Sequence, residues 1–348
     1  MTTEQTLEAV TRNAQEIVTR EELVSVLEKS GVKRVYVGIE PSGLMHVGQG
    51  VILSSKIADF ASAGFDCIIL LADWHAYIND KLDSNMQNID ICADYFVDCF
   101  KGLKVPDSVR FVKAADLVRF PEYWQDVLKV SKASSVARIK RAMTIMGRKE
   151  DEAELDASKL IYPAMQVTDI KRLELDVAYG GMDQRHAHML YRDLAPKLGW
   201  RQVAALHTPL LAGLQGGGRM DSIDAKMSKS KPESCIFLHD PPAVIEQKIA
   251  KAFCPPKEVE GNPVAEIPLY VLFPKGLALK VERPAKYGGD VTFTDAEGLV
   301  SAYTQGSLHP EDLKKATSRA LAEMLGPVRS YLERYGDNLR RVQKIVAR

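Results

Sequence analysis

A chain of 348 residues with 46 basic and 46 acidic side chains has no formal net charge, so nucleic-acid binding would need a local basic face rather than whole-molecule attraction. Its length suits two domains, its 46% hydrophobic residues can build sizeable cores, and its 26% charged residues fit a soluble surface. The five cysteines, Cys67, Cys92, Cys99, Cys235 and Cys254, are odd in number and form no Cys-x-x-Cys pair, which argues against a zinc site or a disulfide framework and for reduced thiols in a cytoplasmic protein.

The N-terminal stretch "MTTEQTLEAVTRN" is polar and has no apolar signal core. Thr19, with Glu22 three residues on, forms a capping-box pattern that predicts a helix running to Gly31. "RVYVGI" (34–39) is β-branched and aromatic and predicts a strand. After the turn "EPSG", a helix is predicted from about His46 to Ala63, closed by Gly64. "CIILLA" (67–72) reads as a fully buried parallel strand and is far too short to cross a membrane. "NIDICADYFVDCFKGL" predicts an amphipathic helix and "VRFVKA" the next strand. This alternation points to an α/β fold with a doubly wound parallel sheet.

Strand signals then vanish, and a helical insertion is expected over about 116–165, with a basic stretch from Lys132 to Lys149. "LDVAYGGMD" (175–183) and "RQVAALHTPLL" resume the strands. Residues of about 212–234, rich in Gly, Ser and Lys, read as a loop. Beyond Phe237–Pro242 the pattern turns mostly helical, with one strand near "VTFT" (291–294). The expected domains are therefore a catalytic 1–238 and a helical C-terminal 239–348.

The chemistry concentrates in a few places. "HVGQ" (46–49) follows a strand and opens a helix, where free N–H groups and the helix dipole favour a phosphate. Gly48 would let a flat purine approach the backbone, and His46 would donate to a phosphate oxygen. A His-x-Gly-His nucleotide signature would place histidine at position 49, where this chain has Gln49. On these residues alone, a strand-turn-helix corner with an incidental histidine is the competing reading. "KMSKS" (226–230) sets Lys226 and Lys229 in a small-residue loop able to close on a triphosphate; taken alone, it also suits a solvated basic loop. Both motifs in this order favour the nucleotide. Tyr162, Gln166 and Asp169, at i, i+4 and i+7, share one helix face, with Pro163 tolerated near the helix start. Such a buried polar stripe needs partners, either within the protein or from a ligand.

Together, "YVGIEPSGLMHVGQG", "LLADWHAYIND", "YPAMQVTDI", "GGMDQRHAHML", "KMSKS" and "LHPEDLKKA" resemble the successive blocks of the archaeal/eukaryotic-type tyrosyl-tRNA synthetases, class I aminoacyl-tRNA synthetases. The resemblance runs from about Ser25 to Leu332. It implies activation of L-tyrosine by ATP with Mg2+ to tyrosyl-adenylate, then transfer to tRNA. It implies a Rossmann-type catalytic domain and an anticodon-binding C-terminal domain. It assigns Tyr36, Tyr162, Gln166, Asp169 and Gln184 to the tyrosine pocket, with Leu70 and His75 as walls. The ammonium is expected at Tyr162, Gln166 and Gln184, the phenol at Tyr36 and Asp169. Phenylalanine would leave the last pair unsatisfied, a discrimination of about 10⁴–10⁵ without editing for which tyrosyl-tRNA synthetases are themselves the reference case.

The resemblance places ATP on Gly38, Glu40, His46, Gly48, Gln49, Gly181, Asp183, Met227, Ser228 and Lys229. His46, Gln49, Lys226 and Lys229 are the expected catalytic groups, acting by positioning and charge stabilisation. For tRNA it implies Arg185 at the first acceptor base pair, and Pro284, Tyr287, His309, Asp312 and Lys314 at the anticodon, with Tyr287 stacking on an unpaired base. Lys132, Arg138, Lys140, Arg141 and Arg148 suit either the acceptor stem or a solvated face, and the family's homodimer seam competes for the same insertion. His186 and His188 are expected to be structural. No resident metal and no membrane contact are expected. A tryptophanyl-tRNA synthetase, a small nucleotidyltransferase and an inactive tRNA-binding paralogue are the alternatives. The pair Tyr36/Asp169 argues against the first, the C-terminal domain against the second, and the intact lysine loop against the third.

Gln49 can donate a hydrogen bond where the imidazole would, but cannot titrate. Gln49→His is expected to keep activity and Gln49→Leu to slow adenylate formation in single-turnover assays. Unchanged rates in the leucine variant would show that His46 and the lysine loop suffice.

Overall fold

The computed structural model describes residues 2–146, 156–216, 226–227 and 232–347. Six strands form the central sheet: β1 (Glu16–Val18), β2 (Arg34–Ile39), β3 (Asp66–Leu71), β4 (Arg110–Lys113), β5 (Val177–Gly181) and β6 (Ala204–Thr208). Their order is β1-β6-β5-β2-β3-β4. β2 to β6 pair in parallel, as the strand and helix alternation predicts. β1 adds a short antiparallel edge on β6 that the sequence did not announce. Three residues are too few for a periodic signal.

Side chains alternate across the sheet and so divide the interior into two cores. Val35, Val37, Ile69, Leu71 and Tyr179 face one layer, which includes the helices Val47–Ser62 and Met86–Gly102. Tyr36, Ile68, Leu70 and Ala178 face the other, built from the helices Pro121–Ala133, Tyr162–Arg172 and Arg185–Leu194. With helices on both faces the strands are apolar almost throughout, which explains the unbroken run in β3. The chain steps outward from β2 to β3 and β4, then returns to lay β5 and β6 on the other side of β2. That reversal opens a crevice beyond the C-terminal ends of β2 and β5.

Local signals hold with small shifts. The capping box of Thr19 and Glu22 is formed, and its helix runs Arg20–Glu28, ending before Gly31. The helix Val47–Ser62 is followed by Gly64 at φ +81°, a left-handed turn that favours glycine. Between β4 and β5 no strand occurs among the described residues, in line with the expected helical insertion. There Asp126, buried on Pro121–Ala133, pairs with Lys171 at 3.2 Å and Arg172 at 2.6 Å, locking that helix to Tyr162–Arg172.

The strand expected near 291–294 is β8 (Val291–Phe293). Its antiparallel partner β7 (Leu279–Val281) was too short to read from the sequence. The remainder is helical, as expected beyond residue 238. The last two helices, Gly326–Tyr335 and Asp337–Val346, fold back onto Met86–Gly102. Asn338 Nδ2 donates to Asp98 Oδ2 at 2.9 Å, and buried apolar side chains continue from Val37 to Val342 in one cluster. The change of character near residue 238 thus marks a change of secondary structure, while the core runs across it.

Gly102 lies at this junction, where an added Cβ would meet Val328 Cγ2 at 2.9 Å and Tyr331 Cδ1 at 3.3 Å. Gly102→Ala is expected to cost about 1–3 kcal/mol by overpacking, read from urea unfolding. An unchanged midpoint would mean that the last helices do not dock here.

Candidate active site

The crevice beyond β2 and β5 holds a cleft of about 700 Å³. Every expected tyrosine-pocket residue lines it, as do all the expected ATP residues that the structure describes. Ser228 and Lys229 lie outside the described residues.

Its floor is polar and nearly dry. Asp169 is 1% exposed. Its Oδ1 accepts from the Tyr123 hydroxyl at 2.8 Å, and His75 Nε2 stands 3.1 Å from Oδ2. The Tyr36 hydroxyl is buried and has no hydrogen-bond partner among the described residues. Burial first, and then the Asp169 charge, hold its phenol well above the ordinary value, so Tyr36 stays a donor. Burial pulls the His75 imidazole down, but Asp169, Glu40 and Asp73 outweigh it, and the net shift is upward. The His75 ring stands edge-on to Tyr162, 4.9 Å between centroids. Leu70 closes the wall from the end of β3.

Tyr162, Gln166 and Asp169 share one face of the helix Tyr162–Arg172, as their spacing requires, and all three line the cleft. Gln166 Nε2 donates to Gln184 Oε1 at 3.0 Å, and Gln166 Oε1 is buried with no hydrogen-bond partner among the described residues. The Tyr162 hydroxyl donates to Glu40 Oε1 at 2.6 Å. Asn79 Nδ2 donates to both Glu40 oxygens at 3.1 Å and, at 3.1 Å, to the Met146 carbonyl. Glu40, expected beside ATP, is thereby tied to Tyr162 and Asn79.

The opposite wall suits a phosphate. The helix Val47–Ser62 begins at His46 with no side-chain capping hydrogen bond from the described residues. Gly48 sits where a Cβ would be 3.2 Å from His46 Nδ1 and 3.4 Å from Leu211. Gln49 Oε1 is buried without a hydrogen-bond partner among the described residues. Lys226 Nζ is held by Asp183 Oδ2 at 2.7 Å, and a single antiparallel bridge joins Lys226 to Ala212. Met227 is buried, its N–H donating to the Leu211 carbonyl at 2.7 Å. At Gly181 a Cβ would meet Asp183 Oδ1 and Leu210 Cδ2 at 2.7 Å, so those two side-chain ends would have to shift for any larger residue. At Gly38 a Cβ would meet only Tyr36 Cε2, at an ordinary 3.7 Å, so the protein leaves that backbone open to the cleft.

The expected tRNA residues lie apart from the cleft lining. Arg185 Nε donates to both Glu16 oxygens at 2.8 and 2.9 Å. Glu16 Oε2 lies 2.9 Å from His207 Nδ1, and His207 Nε2 lies 3.0 Å from His188 Nδ1. Burial lowers both imidazoles, His188 by the greater margin. His186 bonds Thr144 at 2.9 Å. Lys132, Lys140 and Arg141 are exposed, Arg138 pairs with Asp193 at 2.5 Å, and Arg148 lies outside the described residues. Pro284 and Tyr287 are exposed, with Lys286 Nζ 4.8 Å from the Tyr287 ring centroid. Arg283 joins their turn to the Ser307 carbonyl at 2.6 Å, close in sequence to His309. His309 caps the helix Pro310–Met324. Lys314 donates to the Ala250 carbonyl at 2.9 Å, and Asp312 is half-buried.

Sequence reasoning missed Tyr123, Asn79, Glu16 and His207. Asn79 lay in a quoted block, but its bond to Glu40 spans strands. Tyr123 and Glu16 gave no signal, because their partners are distant in sequence.

The model of the family described as tRNA synthetases class I (W and Y) matches residues 28–326. A tyrosine–tRNA ligase from Saccharolobus islandicus is 50% identical over 356 residues, covering 99% of this chain and 98% of its own. The fold is similar to the crystal structure of a tyrosyl-tRNA synthetase from Aeropyrum pernix, with TM-score 0.90, 43% identity and 99% of each chain covered. It is equally similar to that from Pyrococcus horikoshii solved with L-tyrosine, with TM-score 0.91, 37% identity, and 99% of this chain and 100% of the other covered.

Because folding raises the His75 pKa above its unfolded value of about 6.5, the His75–Asp169 attraction stabilises fully below that pH and fades as pH rises through the folded value. His75→Gln is expected to lose more stability, relative to wild type, near about pH 5.5 than near about pH 9. Equal losses in thermal melts at both would show that His75 stays neutral.

Proposed function

We infer the workings of the cleft from one premise: the chain belongs to the class I tRNA synthetases of the tryptophan and tyrosine type. It catalyses the ATP-dependent activation of L-tyrosine and transfers the amino acid to tRNA. The observation that carries the residue assignments is the Tyr36 hydroxyl without a partner beside the buried Asp169 carboxylate at the cleft floor. A phenol satisfies both, donating to Asp169 and accepting from Tyr36. Phenylalanine satisfies neither, and indole, with one donor and no acceptor, leaves Tyr36 unpaired.

With the phenol on the floor, the ammonium meets Gln166 Oε1, Gln184 Oε1 and the Tyr162 hydroxyl, with the Glu40 carboxylate behind. His75 and Leu70 shape the ring's walls. The tyrosine carboxylate then points to the start of the helix Val47–Ser62. There a carboxylate oxygen attacks the α-phosphorus, the bond to the β-phosphate oxygen breaks, and pyrophosphate leaves. ATP enters as its magnesium complex, so the metal arrives with the substrate. His46, the Gly48 backbone and Gln49 hold the phosphates, and Lys226 and Lys229 neutralise the charge of the leaving pyrophosphate. Lys226 must exchange Asp183 for a phosphate, which frees Asp183 for the ribose. Gly38 and Gly181 leave backbone room for adenosine, and Met227 and Ser228 carry the lysine loop. A hydroxyl of the terminal tRNA ribose then attacks the adenylate carbonyl, and AMP departs.

Segment 239–348 takes the anticodon-binding role, with Pro284, Tyr287, His309, Asp312 and Lys314 as its contacts. Arg185 takes the acceptor stem. The apolar side chains of Phe120, Trp124 and Leu128, which are 49%, 42% and 70% exposed, suit a second copy of the chain in a homodimer. Its free cysteines fit a cytoplasmic setting.

Pyrophosphate exchange with tyrosine, tryptophan and phenylalanine tests the assignment. Exchange with tyrosine alone is expected, and Asp169→Ala is expected to lose most of the preference over phenylalanine. Silence with all three amino acids would leave a tRNA-binding protein without activity, the reading that Gln49 alone favours.

A further inference from the structure

Tyr123 lies behind the cleft, not in its lining. Its ring is buried in the core shared by the helices Pro121–Ala133 and Tyr162–Arg172, among Val127, Val130, Met165 and Ile170. From there its hydroxyl reaches two points of the second helix, Asp169 Oδ1 at 2.8 Å and the Met165 carbonyl at 3.2 Å. The charged acceptor takes the shorter and stronger bond. His75 Nε2 lies 3.1 Å from Asp169 Oδ2, but neither atom has a hydrogen bond of acceptable direction. Among the described residues, Tyr123 therefore makes the directed hydrogen bond on this carboxylate. The helix that carries Tyr123 is itself fixed by Asp126, which pairs with Lys171 and Arg172 one turn beyond Asp169.

We propose that Tyr123 is a positioning residue for tyrosine selection, fixing the rotation of the Asp169 carboxylate so that an oxygen lone pair faces the substrate phenol beside the Tyr36 hydroxyl. This rests on the assignment of Asp169 to the phenol. A carboxylate with one oxygen pinned presents its remaining lone pairs in fixed directions. Released, it turns about its last side-chain bond, and the phenol must reorder it on binding. The cost then falls on any substrate that donates to Asp169 and spares one that cannot, which separates positioning from support of the fold.

The test is Tyr123→Phe, which deletes the hydroxyl and keeps the ring, assayed by pyrophosphate exchange. The kcat/KM for tyrosine is expected to fall about tenfold, mainly through KM, as loss of a hydrogen bond to a charged group predicts. The value for phenylalanine is expected to stay, so discrimination falls by the same factor, and the phenylalanine reaction itself reports a folded enzyme. Lys129→Ala breaks a bond to Asp126 on the same helix without touching Asp169, and is expected to leave discrimination intact. Equal losses with both amino acids, or no loss with either, would overturn the proposal. A wild type that does not prefer tyrosine would overturn the assignment of the cleft, and the proposal with it. A selective wild type whose Tyr123→Phe variant selects equally well overturns the proposal alone.

Discussion

Asp169 holds a carboxylate where water barely reaches, and a charge in such a place needs hydrogen bonds and opposing charge from fixed neighbours. The surroundings of the cleft floor follow from that need. Tyr123 supplies a hydroxyl from behind, His75 an imidazole from the side, and the upward shift of the His75 pKa is the other face of the same attraction. What remains is a carboxylate with spare lone pairs near a Tyr36 hydroxyl that has no hydrogen bond of acceptable geometry among the described residues. The floor is thereby set for a group that both donates and accepts at one oxygen.

The two ends of the cleft use different physics. At the floor, the helix Tyr162–Arg172 holds Gln166 to Gln184 and Asp169 to Tyr123 beside the buried Tyr36 of β2, and in the proposed reading selectivity comes from what a wrong ligand would leave unpaired. In the proposed reading, the other end offers backbone N–H groups at a helix start and the loop residue Lys226 to a diffuse negative charge. Lysine suits that task because it needs distance rather than a plane. In that reading the Lys226–Asp183 pair links the two regimes, the lysine resting on a carboxylate until a phosphate replaces it.

Both ends meet because the strand order reverses between β2 and β5. Residues separated by more than a hundred positions, such as Glu40 and Tyr162, come within bonding distance only through that reversal. The continuous apolar core under Met86–Gly102 carries the constraint on to the last two helices, so the C-terminal segment is packed against the catalytic sheet.

The sequence by itself determined what short-range physics encodes. A β-branched, aromatic run set β2, an unbroken apolar run set β3, the Thr19/Glu22 pair set a helix start, and the i, i+4, i+7 stripe put Tyr162, Gln166 and Asp169 on one face. Those signals need only a few neighbouring residues, and they located the candidate site. Tertiary structure decided who holds whom. Glu40 joins Tyr162 and Asn79, Lys226 joins Asp183, Arg185 joins Glu16 of the edge strand, and Tyr123 crosses from another helix to Asp169. Each pairing closes a long loop of chain, and its geometry depends on strand order, register and helix packing together. No local pattern carries that information, so the residues that aim the site became visible only once the chain was folded.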